Sequence, residues 1–307
     1  MGILLLFLFA AAIITAIGTL ALIHYMRHPS RKTFANALAR NQPTDPADLE
    51  LTAKEHTFRF DDGTQSPGWI VQGNKPHGPT VIVTHGWSNS RFGSLNRLSA
   101  LVDFASRIVI YDMRAHGDST AKEATLAIKE PDDLLAIMDQ VNTGSPVVLL
   151  GSSMGAGVTI VAAAKYFEQN LKQVEAGQCD ESQSVDLVGV IAEAPYRFPT
   201  QALKGYLWRK KLPPYPVVWF TGWHFAFWEG IRKATYDRAV HAKKIKCPLL
   251  VLHGDRDCVC PVQAGQEIAE AAPDGSFINF PDQDHVNLCK ADEALYRASL
   301  RDFFAKI

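Results

Sequence analysis

The stretch Pro146-Val147-Val148-Leu149-Leu150-Gly151-Ser152-Ser153-Met154-Gly155-Ala156-Gly157 decides how the chain is read. Aliphatic and β-branched residues from Val147 to Leu150 predict a buried strand, and the small residues after Ser153 lead into a helical pattern from Val158 to Tyr166. Between the two lies Gly-x-Ser-x-Gly, so the reading is strand, tight turn, helix, with Ser153 at the apex. A serine carried through such a turn holds strained backbone geometry, tolerable where Gly151 and Gly155 supply room on either side. Its hydroxyl is pushed out above the sheet. The unpaired N–H groups of the following helix N-terminus then lie where a developing oxyanion would be stabilised.

Outward from this stretch the chain alternates strand and helix. Thr80 to Thr84 and Arg107 to Tyr111 are continuous apolar strands of the kind buried on both faces, and helical spacing covers Asn89 to Phe104 and Pro131 to Val141. After the helix that follows Ser153 come strands at Leu187 to Ala192, Pro248 to Leu252 and Ser276 to Phe280, and a closing helix at Ala291 to Lys306. Ahead of them all, Leu51 to Phe60 and Trp69 to Gln72 read as an exposed antiparallel hairpin turning at Asp61-Asp62-Gly63. The pattern predicts an α/β fold with a mostly parallel sheet, helices on both faces, and ligands at the C-terminal strand ends.

A serine is a weak nucleophile and needs a base within hydrogen-bond reach, itself held in one tautomer by a carboxylate. Of the ten histidines, His285 follows the last strand, in a loop free to hang over the sheet edge, and is the expected base. The strand Leu249 to Leu252 runs into His253-Gly254-Asp255-Arg256-Asp257, where two carboxylates compete. Asp255 is placed to cap its own loop, whereas Asp257 lies far enough along to reach His285; Glu193, at the end of the preceding strand, is the runner-up. The expected order is therefore Ser153, Asp257, His285.

With these pieces assembled, the chain resembles a serine-type α/β-hydrolase. The resemblance rests on His85-Gly86-Trp87, Asp112-Met113-Arg114-Ala115-His116-Gly117-Asp118-Ser119, Gly151 to Gly155, Gly254-Asp255-Arg256-Asp257 with Val259 and Pro261, and Asp284-His285. More narrowly it is similar to bacterial membrane-anchored members described as esterases or serine aminopeptidase-like hydrolases. What the resemblance implies is the α/β-hydrolase fold and an oxyanion hole from the backbone N–H groups of Met154 and Trp87. Two residues depart from the family pattern. Ala115 stands where glycine is common, and Asp284 stands beside the expected base, where an inward carboxylate would raise the imidazole pKa and a solvated one would not. The Arg114 to Ser119 loop reads as a hydrogen-bonded buttress rather than a substrate contact.

Between Pro195 and Pro248 the chain carries four of its six tryptophans together with Phe198, Phe220, Phe225, Phe227, Tyr196, Tyr206 and Tyr215. A helical cap over residues 196–247 is expected, with downward rings walling an apolar acyl pocket. Arg209-Lys210-Lys211 and the apolar run Pro213 to Phe220 allow that cap to touch a bilayer.

Ile3 to Ile23 is an uncharged run without proline which, as a helix at about 1.5 Å per residue, matches a bilayer core. No Lys or Arg precedes it, it is longer than a signal-peptide core, and the small-x-small sites lie inside it, so a retained anchor over residues 1–26 is expected rather than a cleaved signal. Arg27, Arg31, Lys32 and Arg40 follow without an acid, which places the remainder of a single-pass protein in the cytoplasm. Residues 27–48, with three prolines, read as a linker, and 49–307 as the hydrolase domain with its cap.

The 307 residues, 47% of them hydrophobic, suffice for one large core, and a formal net charge of −1 argues against a nucleic-acid partner. Five cysteines without metal-site spacing read as small buried hydrophobes in a reducing compartment. No metal or organic cofactor is needed for the expected chemistry, cleavage of small-molecule or lipid-like carboxylic esters with apolar acyl groups. Alternatives are a serine aminopeptidase or amidase, a thioesterase, and a catalytically inactive binding protein of the same fold. An aminopeptidase would want a pocket carboxylate for the substrate amine, and the only acid between Tyr196 and Ala234 is Glu229.

Overall fold

In the computed structural model, which describes residues 1–175, 185–228, 236–285 and 287–307, the β-branched runs become the strands of one eight-stranded sheet. The elements, in chain order, are α1 (Gly2–Arg27), α2 (Phe34–Leu38), β1 (Ala53–Arg59), β2 (Gln65–Gln72), β3 (Thr80–Thr84), α3 (Arg91–Ser94) and α4 (Leu98–Leu101). Then come β4 (Arg107–Tyr111), α5 (Glu130–Gln140), β5 (Val147–Ser152), α6 (Met154–Glu175), β6 (Leu187–Glu193), α7 (Pro199–Arg209) and α8 (Val217–Trp228). The last are α9 (Arg238–Ala242), β7 (Leu249–Gly254), α10 (Val262–Ala271), β8 (Gly275–Phe280), α11 (Leu288–Ala291) and α12 (Glu293–Phe304).

Strand order is β1-β2-β4-β3-β5-β6-β7-β8; β1 and β2 pair antiparallel with their neighbours and the rest are parallel. Side chains on β3 and β5 alternate between two cores because strand residues point to opposite faces in turn. Ile82 and Leu149 pack under α5, α6, α9 and α10, while Val81, Val83 and Leu150 pack under α3, α4, α11 and α12. A sheet covered on both faces explains why Val81 to Val83 and Val147 to Leu150 are all apolar, with polar residues only at the strand ends.

Register fixes the site. Thr84 of β3 pairs with Gly151 of β5, so the loops that follow, His85 to Trp87 and Ser153 to Met154, emerge side by side. Ser152 pairs with Glu193, Glu193 with Leu252 and Gly254 with Phe280, so the loops after β6, β7 and β8 leave the same edge.

Three local expectations change. The hairpin is not wholly exposed: β2 begins at Gln65 and its Ser66, Trp69 and Val71 are buried, because it pairs with β4 as well as β1. Asn89 to Phe104 is not one helix but α3, a 3-10 turn at Leu95–Arg97 and α4; the tightened turn directs buried Arg97 to Glu193. The closing helix starts at Leu288 and is interrupted at Asp292, whose carboxylate caps α12 by accepting from the Leu295 N–H at 2.9 Å.

The N-terminal helix α1, 26 residues long and apolar enough to cross a membrane, docks on the rest of the chain at its C-terminal end. Gly18 faces Val217 of α8, and Leu22 is buried against Leu203, Leu207 and Val218. The segment after α1 is tied down rather than loose: Arg31 donates to the carbonyls of Ser119 and Ala121 at 2.6 Å each and of Gly117 at 3.4 Å. Glu229 and Cys179 lie outside the described residues.

Candidate active site

Ser153 follows β5 immediately and has φ +54°, the left-handed region that a non-glycine residue enters only under constraint. The constraint is visible in its glycines. A Cβ at Gly151 would lie 2.2 Å from the Gly155 carbonyl oxygen, and one at Gly155 would lie 2.2 Å from that of Thr84. Only hydrogen fits at either position, so the turn can press against β3. The Ser153 N–H donates to the Glu193 carbonyl at 2.8 Å, which pins the apex to the next strand.

His285, from the loop after β8, places Nε2 3.0 Å from Ser153 Oγ. Its Nδ1 lies 2.7 Å from Asp257 Oδ2, from the loop after β7. Asp257 is buried, and its other oxygen accepts the backbone N–H groups of Val259 at 2.8 Å and Cys260 at 2.7 Å. Burial alone would raise this carboxyl's pKa, but hydrogen bonds from His253 and His285 and the two amides outweigh it and hold the group well below the ordinary carboxylate range. The carboxylate therefore stays ionised and fixed in rotation, facing the imidazole.

The other acids are occupied elsewhere. Glu193 is buried and ion-paired with Arg97, and accepts from the Tyr296 hydroxyl at 2.5 Å. Asp255 lies 3.4 Å from the Asn279 amide on the surface. Asp284 turns away from the imidazole ring: its carboxylate accepts from the Cys258 N–H at 3.0 Å and lies 3.6 Å from Arg209.

Beside Ser153, the backbone N–H groups of Met154, first residue of α6, and Trp87 find no acceptor among the described residues. Gly86 brings the Trp87 loop close, since a Cβ there would meet the Ser152 carbonyl at 3.2 Å and Ser153 Cβ at 3.4 Å. Behind the loop, buried His85 accepts the Met113 N–H at Nε2 (3.0 Å) and donates from Nδ1 to the Gly86 carbonyl (2.8 Å). Burial keeps its pKa well below the ordinary value, so it braces the loop as a neutral ring. The Arg114 to Ser119 loop is a buttress too: Arg114 pairs with buried Asp133 at 2.5 Å and with Asp62 at 2.6 Å.

Asp257, Cys260 and His285 offer one donor atom each within 4.8 Å. Asp257 already accepts two amides and the imidazole, and burial, reinforced by Asp257, pushes the Cys260 thiol up and away from the thiolate a metal would need. Asp257 and His285 are committed to each other and to the neighbouring amides and Ser153. Cys247, Cys260 and Cys289 are buried as expected, whereas Cys258 is exposed because its loop carries it past the sheet edge.

A cavity of about 630 Å³ opens over Ser153 and His285. Its apolar wall is not the expected ring of cap aromatics. Tyr196 and Tyr206 contribute, but Trp208, Trp219, Phe220, Trp223 and Phe227 point outward and are exposed. Their place is taken by Leu22, Tyr25 and Met26 of α1. The Trp87 indole N–H donates to the Met26 carbonyl at 3.0 Å, and the Tyr25 and Tyr206 hydroxyls are 2.6 Å apart. An apolar run in sequence signals only its length, so nothing there marks these residues as pocket wall.

A half-buried hydroxyl on a strand-to-helix apex, hydrogen-bonded to an imidazole backed by a carboxylate, on a doubly covered, mostly parallel sheet, defines an α/β-hydrolase. The family profile described as alpha/beta hydrolase family matches residues 81–296, and the chain belongs to that family. Among curated relatives it is 24% identical over 256 residues to rat lysophosphatidylserine lipase ABHD12, covering 78% of this chain and 58% of that protein. It is 26% identical over 253 residues to human protein ABHD12B, covering 78% and 64%. The chain thus spans about three fifths of the length of these relatives. Among solved structures, a Pyrococcus furiosus esterase superposes with TM-score 0.65 at 22% identity, covering 91% of this chain and 98% of that one.

Proposed function

We propose that the chain is a membrane-anchored serine hydrolase that cleaves carboxylic esters of apolar acyl groups. The observation that carries this reading is the line Ser153 Oγ, His285 Nε2 at 3.0 Å, His285 Nδ1, Asp257 Oδ2 at 2.7 Å, at the floor of an open cavity. In the proposed reaction His285 Nε2 takes the Ser153 proton as Oγ attacks the ester carbonyl. The oxyanion is received by the Met154 and Trp87 N–H groups, the first of which also carries the positive end of the α6 dipole. Asp257 holds the imidazolium in place. His285 then protonates the departing alcohol, and water, deprotonated by the same imidazole, releases the acid from Ser153.

Lipid-like esters fit the surroundings. Helix α8 has no Lys, Arg, Asp or Glu, packs beside α1, and leaves Trp219, Phe220, Trp223 and Phe227 exposed next to that helix. A soluble surface rarely carries such a patch, and a bilayer covers both helices together. With α1 as the single span, the basic residues after it set the domain on the cytoplasmic side. The relative named a lysophosphatidylserine lipase also acts on a lipid ester. An aminopeptidase is disfavoured because no carboxylate lines the cavity among the described residues.

The test is labelling with a fluorophosphonate probe: the wild-type chain should react and Ser153→Ala should not, with p-nitrophenyl esters hydrolysed in parallel and aminoacyl arylamides left intact. Equal labelling of both, or none of either, refutes the reading and leaves a binding protein.

A further inference from the structure

The cavity over Ser153 is apolar along α1 and α7, but its rim carries four cations, Lys32, Arg40, Arg209 and Lys210. Among the described lining residues there is no acid to answer them. In a chain with net charge −1, that is a local concentration of positive charge rather than a general bias. Only Arg209 has a carboxylate nearby, Asp284 at 3.6 Å. Lys32 has a single long contact, Nζ to Asn89 Oδ1 at 3.5 Å, and Lys210 lies over the Tyr206 ring at 5.7 Å. The Arg40 backbone N–H donates to the Ala37 carbonyl at 3.1 Å, and its guanidinium has no hydrogen-bond or ion-pair partner among the described residues.

The two cations from the segment after α1 are held in place by that segment. Arg31 is bonded to three carbonyls, the Ser30 and Ser88 hydroxyls are 2.6 Å apart, and Ala37 of α2 is buried between Lys32 and Arg40. Lys32 is half-buried, and burial together with the Arg40 charge lowers its pKa. Lys32, partly desolvated and repelled by the exposed Arg40, gains energy from any anion that enters between the two cations. Arginine's planar fork beside a lysine point charge suits a phosphate group.

We propose that Lys32 and Arg40, with Lys210 on the facing wall, form a phosphate subsite, so that the favoured substrate is a single-chain acyl ester whose alcohol carries a phosphate or phosphodiester. The acyl chain lies along Leu22, Met26 and Leu203, the ester reaches Ser153, and the phosphate rests at the rim. The proposal rests on the ester-hydrolase reading above, and its test separates the two.

The full chain in neutral detergent is assayed on lysophosphatidylglycerol and on the monoacylglycerol of the same acyl length. The ratio of kcat/KM values should favour the phospholipid by about tenfold or more, about 1.4 kcal/mol, and should shrink with added salt. In Lys32→Gln/Arg40→Gln the ratio should fall towards one, and in Lys32→Glu/Arg40→Glu it should invert. A wild-type ratio near one, or a ratio unchanged in both double variants, overturns the subsite. Binding of a non-hydrolysable alkyl-ether analogue of each lipid, followed by protein fluorescence, reads the subsite without turnover. Charge preference in binding with no hydrolysis of either ester sinks the hydrolase reading alone, and hydrolysis with equal binding sinks the subsite alone. Displacement of the charged ether by millimolar inorganic phosphate would assign the site to free phosphate as well, and failure to displace would assign it to a lipid headgroup; both uphold phosphate recognition.

Discussion

Replacing Asp257 by asparagine removes one charge while leaving volume unchanged, and the local hydrogen bonds dictate how the new amide must sit. The oxygen now at Oδ1 accepts from the N–H groups of Val259 and Cys260, which can only donate. An asparagine must therefore turn its carbonyl oxygen to those two amides, which leaves its NH2 facing His285 Nδ1 at the 2.7 Å position. A donor there forces Nδ1 to accept and puts the ring proton on Nε2, where it points at Ser153 Oγ. The imidazole then cannot take the serine's proton. The opposite flip would set an NH2 against two buried N–H groups and strand them, at about 1–3 kcal/mol each. Loss of the correct tautomer in a triad costs about 10⁴-fold in kcat, about 5.5 kcal/mol of barrier. The assay is steady-state hydrolysis of p-nitrophenyl butyrate alongside the rate of fluorophosphonate labelling, on full-length protein whose melting temperature is checked. Asp257→Asn activity within tenfold of wild type, with the fold intact, would refute the reasoning, because the carboxylate would then not be setting the tautomer.

Stability should fall with acid from near neutrality. Burial holds His85 well below its ordinary pKa and His116 at about 4, so below about 6.5 the unfolded chain binds protons that the folded one refuses, at a loss of up to about 1.4 kcal/mol per pH unit per ring. The melting temperature in detergent should drop between pH 7 and pH 5, and a flat profile would contradict the burial of these rings. Gly155→Ala should cost at least about 2–3 kcal/mol or prevent folding, since its methyl group would meet backbone oxygens of Thr84 and His85 at 2.2 and 2.4 Å; near wild-type stability would mean that the turn does not press on β3. Trp219 and Trp223 should be quenched by brominated lipids in reconstituted vesicles, with Trp219→Phe/Trp223→Phe losing most of the quenched signal, and insensitivity to bromine would remove α8 from the bilayer.

What the sequence discloses depends on how local the physics is. Val81 to Val83, Ile108 to Ile110 and Val147 to Leu150 announce buried strands because the middle of a strand covered on both faces is apolar on both. Gly151 and Gly155 announce the turn because no other residue fits there. Ser153, Asp257 and His285 could be singled out because each ends or closely follows such a strand, and the register of the parallel sheet brings those ends together. The strand order, with β4 lying between β2 and β3, has no local signature. Nor does the preference of Glu193 for Arg97 and Tyr296 over His285, which is decided by residues about a hundred positions away on either side. Lys32 and Arg40 read in sequence only as a topology signal; their arrival at the rim depends on Arg31 binding loop carbonyls from 117 to 121.

The bond from the Trp87 indole to the Met26 carbonyl, and the seat of Leu22, Tyr25 and Met26 in the cavity wall, make α1 part of the binding chamber. A preparation trimmed before Arg27 would be a different catalyst, not the same one without its tether. Its chamber would stand open along one side, and the Trp87 indole would have lost its carbonyl partner. Chain-length profiles recorded on it would describe the breach. The same geometry makes the medium around α1, whether detergent, nanodisc or native lipid, a neighbour of the cavity in which the proposed substrate's acyl chain would lie, so turnover should respond to that choice even when the head of the substrate is fully soluble.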